Sequence, residues 1–122
     1  MPYQFVGKEE LGKVIASGWG KTAYAPFAKT LQTVVLDIIS NADCKKLNDE
    51  LIKTHVCTKT RNRNVCKGDS GGGIDKVSNG LSYAFGVSSF GANFCTGYSV
   101  FTRVSEYLTW IEEQTGETFC KP

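Results

Sequence analysis

The chain has 122 residues, of which 41% are hydrophobic and 21% charged, with a net charge of +2. That length suits one domain burying roughly two-thirds of its unfolded surface. The small net charge argues against nucleic acid or an acidic membrane surface as partner, and no run approaches the ~20 apolar residues of a membrane span.

In chain order, the start "MPYQFVGKEELGK" has no basic region leading into an apolar run, so it does not read as a signal peptide. Residues 12–20, "GKVIASGWG", form a β-rich segment bounded by glycines. Residues 30–39, "TLQTVVLDII", are a long β-branched apolar run. A helix is expected from "SNADCKKLNDEL", where Ser40 and Asp43 have capping-box spacing. Strands follow at 54–58, near 72–77, at 81–90 and at 98–104, with "SNG" at 78–80 as the hairpin turn between the third-last and second-last. "SEYLTWIEEQTG" (105–116) places Val104, Tyr107, Leu108 and Ile111 at helical spacing, and Gly116 stops the helix. Six short strands and two helices in one small chain predict an all-β antiparallel barrel or sandwich.

Five cysteines (Cys44, Cys57, Cys66, Cys95, Cys120) include no C-x-x-C pair, and His55 is the only histidine. That pattern argues against zinc and for disulfides in an oxidising compartment. Disulfides without a leader are reconciled if the chain is a piece of a longer protein. The basic stretch holding Lys59, Arg61 and Arg63 lacks aromatic interleaving and reads as a solvated loop.

The segment "CKGDSGGG" (66–73) crowds four glycines around Ser70. Its simplest reading is a loop that turns the chain. It also satisfies G-x-S-x-G, but a nucleophile elbow needs a helix after the serine and a histidine later in the chain. Here a strand follows, and His55 comes earlier. No G-x-x-x-x-G-K-S/T phosphate loop is present. A serine flanked by glycines also suits acyl transfer, because backbone N–H groups can then approach a developing oxyanion closely.

The same segment resembles the active-site serine stretch of chymotrypsin-like (trypsin-fold) serine proteases. "SGWG" (17–20), "SNADCKKL" (40–47), "HVCTKTRNRNVCKGDSGG", "GVSSFG" (86–91) and "SVFTRVSEYLTWI" (99–111) resemble further segments of that family in the family's order. The resemblance implies a six-stranded antiparallel barrel with a short intermediate helix and a C-terminal helix, and a buried tryptophan at Trp19. It implies Ser70 as nucleophile, the N–H groups of Gly68 and Ser70 as oxyanion hole, and supporting roles for Asp69 and Ser89. It places Asn64 at the floor of the specificity pocket and Phe90, Gly91 and Ser99 along its walls. It pairs Cys44 with Cys57 and Cys66 with Cys95, leaving Cys120 over. No cofactor or metal is implied.

Val14 and Lys76 stand where the family often has a further disulfide, and Gly73 replaces the usual proline. An Asn64 floor offers no carboxylate to Arg or Lys, which favours neutral side chains of medium size. No segment resembles the family's histidine or aspartate motifs. Residues 1–122 are therefore expected to be a single partial peptidase domain, the second barrel of a secreted endopeptidase acting on proteins or peptides. The first barrel is absent and is a candidate partner, and this stretch is inactive alone. The alternatives are a non-catalytic, protease-like binding module and, last, another serine hydrolase with an unrecognised base.

Overall fold

The computed structural model describes residues 1–8, 11–22, 25–60, 65, 69–91 and 97–121. Its elements are a 3₁₀ turn at Tyr3–Phe5, β1 (Gly12–Gly18), β2 (Gln32–Ile39), α1 (Asn41–Lys45), β3 (His55–Thr60), β4 (Gly73–Ser78), β5 (Leu81–Gly91), β6 (Gly97–Arg103), a second 3₁₀ turn at Val104–Glu106, and α2 (Leu108–Thr115). The strands close into an antiparallel barrel in the order β1-β2-β3-β6-β5-β4. The expected six-stranded barrel with two helices is present.

Alternation along the strands decides what fills it. Val14 and Ala16 of β1, and Leu36 and Ile38 of β2, turn inward and are buried. They meet Val56, Ile74, Tyr83, Phe85 and Phe101 in the barrel core. Phe5, from a segment to which the sequence assigned no role, completes this core edge-on to Tyr83 and Phe85, at 5.3 and 5.5 Å between ring centroids. Strands β3 and β6 are covered on both faces. Val56 pairs with Phe101 on the inside, while Cys57 pairs with Val100 on the outside, beneath α1 and Leu51.

The boundaries depart from expectation in three places. The first helix is short. Ser40 Oγ caps the Asp43 N–H at 3.1 Å as its spacing predicts, but the N–H groups of Leu47 and Asn48 both turn back to the Cys44 carbonyl. Asn48 then caps Glu50 in a turn, as Asn favours turns over helix interiors. Val104 leaves β6 for a 3₁₀ turn, so α2 begins only at Leu108, and Tyr107 is exposed. β1 ends at Gly18, and Trp19 emerges beyond it, 57% exposed. The expected burial of this tryptophan is thus corrected: it lies past the last paired residue of the strand, where the sheet no longer directs its side chain inward.

Register explains one substitution. β1 and β4 align Ile15 with Asp75 and Ala16 with Ile74, which puts Val14 opposite Lys76. The two positions without cysteines are therefore neighbours. Val14 packs inward, and Lys76 Nζ donates to the Leu11 carbonyl at 3.0 Å beside the Phe85 ring.

Candidate active site

Ser70 lies on the approach to β4, in a turn running from Asp69 to Gly72. The Gly72 N–H donates to the Asp69 carbonyl at 3.0 Å, and Gly71 between them has φ +80°. A positive φ at the third position of a turn is costly for any residue with a Cβ, so a glycine must follow the serine. The turn is tied to β5 twice: Gly71 N–H donates to Ser88 O at 3.0 Å, and Ser88 N–H donates to Gly72 O at 2.8 Å. Ser70 itself is exposed. These glycines thus fold the chain sharply beneath one serine and leave its hydroxyl open to solvent.

Asp69 points away from the serine toward the end of β1. Its Oδ1 accepts from the Gly20 N–H at 2.9 Å. A Cβ on Gly20 would stand 2.5 Å from the Asp69 Cγ, and one on Gly18 would overlap the same carboxylate. The two glycines flanking Trp19 form a cradle for Asp69. The sequence reading took "SGWG" by its tryptophan and missed this. The available signal was a pair of glycines two residues apart where a strand should continue.

Ser89 sits at the irregularity where the β5–β6 register shifts between Ser88 and Phe90, and it is exposed. An extra residue of this kind re-aims side chains locally. Phe90 is half-buried and packs against the outer cluster, edge-on to the His55 ring at 5.4 Å. Gly91 pairs directly with Ser99, which is buried on β6. The structure thus brings Phe90, Gly91 and Ser99 together across β5 and β6. Asn64, Gly68, Cys66 and Cys95 lie outside the described residues. Cys44 and Cys57 are bonded to each other, both fully buried, and Cys120 is free and exposed.

His55 is the chain's sole histidine. It stands on β3, whose neighbours in the barrel are β2 and β6, whereas β4 lies between β5 and β1. In a ring of six, β3 and β4 are opposite. The His55 Nδ1 also accepts the Ile52 N–H at 3.1 Å, and burial lowers its pKa from the ordinary 6.5. The ring is part of the barrel wall.

The Trypsin family profile matches residues 7–111. The chain belongs to the trypsin family of serine proteases. Among curated relatives, it is similar to brachyurin of Leptuca pugilator, 39% identical over 111 residues, which cover 86% of this chain and 47% of that protein. It is similar to chymotrypsin-2 of Vespa crabro, 35% identical over 103 residues, covering 82% and 45%. It is also similar to chymotrypsin-C of Mus musculus, 37% identical over 108 residues, covering 80% and 40%. The chain therefore spans less than half the length of these trypsin-family relatives.

Proposed function

We propose that this chain is the second barrel of a serine endopeptidase, cleaving peptide bonds through an acyl-enzyme on Ser70. The observation that carries the reading is the Asp69–Gly72 turn, which exposes Ser70 while two backbone bonds to Ser88 and the Gly20 bond to Asp69 fix the residues around it. The Ser70 Oγ attacks the substrate carbonyl, and the N–H groups of Gly68 and Ser70 receive the oxyanion, a type of interaction worth about 2.7–4 kcal/mol per donor. Ser89 supports the aspartate of the triad, while Asn64, Phe90, Gly91 and Ser99 shape the primary pocket. The whole domain is bipartite, and a first barrel supplies the histidine and aspartate as partner to this one. The Cys44–Cys57 disulfide supports an oxidising, extracellular location, and Cys66–Cys95 is the second bridge.

A serine hydroxyl near neutral pH is a weak nucleophile without a positioned base. His55 lies across the barrel, so the 122 residues alone do not turn over peptides. The test combines a fluorophosphonate probe with a broad peptide substrate set. The chain alone shows neither stoichiometric labelling nor cleavage. Fusion behind a trypsin-family first barrel restores both, and Ser70→Ala abolishes them. Turnover by the lone chain that Ser70→Ala removes overturns the inactivity. A folded fusion that never labels leaves a binding module instead of an enzyme.

A further inference from the structure

Behind the net charge of +2 lies one cleft whose described lining is mostly cationic. A cleft of about 710 Å³ opens between the segment after the first 3₁₀ turn, α1, the approach to β3 and the end of β6. Among the described residues, Lys8, Lys45, Lys53 and Arg103 line it, against one lining carboxylate, Glu106. These four cations come from four separate stretches of chain, so no single charge run produced them. Lys13 pairs with Asp37 at 2.6 Å and Lys46 with Asp43 at 3.6 Å. Lys8, Lys45 and Lys53 have no ion pair among the described residues.

The floor is organised. Arg103 is only 4% exposed, and its guanidinium donates to the His55 carbonyl from both Nε (3.2 Å) and Nη2 (2.9 Å). It also donates to the Lys8 carbonyl at 3.4 Å and to Asn41 Oδ1 at 3.5 Å. One buried arginine thus ties together the backbone at Lys8, the helix carrying Lys45 and the strand behind Lys53. The lysines are held around one concavity by a rigid centre, and a cleft lined by one sign of charge focuses its field on an incoming counter-ion.

We propose that this cleft binds a small, multiply sulfated oligosaccharide. The volume is that of a small-ligand site. Three lysines on three elements ask for several separated anions on one ligand rather than one phosphate. Among the described residues, no aromatic ring lines the cleft to stack a nucleobase. Exposed Ile52 offers an apolar surface to the C–H face of a sugar.

The experiment titrates the 122-residue chain with sucrose octasulfate and with a heparin-derived tetrasaccharide, at about 50 mM and about 300 mM salt, where screening lengths differ more than twofold. Saturable one-to-one binding is expected, weaker at the higher salt. Lys45→Gln and Lys53→Gln each weaken it about fivefold, as loss of one well-placed ion pair would, while Glu106→Gln tightens it. Lys29→Gln and Lys59→Gln leave it unchanged. All five positions are exposed, so folding is not at stake. Absence of saturable binding at low salt overturns the proposal. So does equal weakening by Lys59→Gln or Lys29→Gln, which would mean diffuse charge attraction, or tighter binding of an oligoglutamate peptide than of either sugar.

Discussion

A methyl group on Gly18 or Gly20 would occupy the volume now held by the Asp69 carboxylate. Neither glycine has a positive φ, so alanine fits the backbone at both, and overlap with Asp69 is the cost. Gly20→Ala should destabilise the chain by about 1–3 kcal/mol, the range for overpacking. The penalty should fall by more than half in an Asp69→Ala background, because the overlapping atoms are then gone. Denaturant titration of the four proteins in this double-mutant cycle gives the coupling, and additive effects would show that the cradle has another origin. This contact also marks where sequence reading stops. Ser70, Asp69 and the expected wall residues Phe90, Gly91 and Ser99 could be named because short segments of the sequence resemble those of a known family. The two glycines that cradle Asp69 lie about fifty residues earlier and carry no side chain to announce them. Trp19 misled for the converse reason: the resemblance implied that its side chain is buried, while the glycines beside it do the contacting.

Strands were readable because β-branched runs and glycine breaks are local features, and the hairpin at Asn79–Gly80 formed with both residues at positive φ, as the turn needs. Strand order was not readable from the segments themselves, since β3 pairs with β6 across residues 61–96 of intervening chain. The first helix shows the same limit. Its cap was encoded locally, but its end was set where the chain turns to bring Cys44 over Cys57. That bridge closes a separation of 13 residues and sits with Leu51 and Val100 in the outer cluster. Replacing both cysteines by alanine should cost about 2–4 kcal/mol. α1 and the outer cluster should then exchange amide hydrogens faster than the inner barrel, whose core of Val14, Leu36, Ile74 and Phe85 is untouched. Uniform acceleration across both clusters would show that α1 does not unfold as a separate unit. The cation cleft escaped the sequence for a topological reason, as residues 8, 45, 53 and 103 converge only once the barrel closes.

The six strands close into a complete ring, and the one histidine belongs to its wall. His55 Nδ1 accepts the Ile52 N–H, and the ring packs on Phe90. Protonating Nδ1 would replace an acceptor with a donor facing a donor. Burial disfavours the charged ring, so the folded pKa lies below the unfolded value of 6.5. The unfolded chain therefore binds more protons than the folded one in this range, and stability rises with pH there. The contribution is fully present above pH 6.5 and is lost as pH falls through the folded pKa. Its size should be about 1 kcal/mol or less, that of one net hydrogen bond. Carboxylates also begin to titrate toward pH 5, so the informative quantity is a difference between proteins. His55→Asn keeps an acceptor for the Ile52 N–H but cannot titrate. Denaturant midpoints at intervals from pH 7.5 to 5 should fall more steeply for the native chain than for His55→Asn. Parallel curves would mean that His55 bears no proton-linked share of barrel stability. His55 stands on β3, across the barrel from β4 and the turn that carries Ser70, so the same pH series on a fusion that supplies a first barrel should leave the acid limb of activity unmoved by His55→Asn wherever the fold persists.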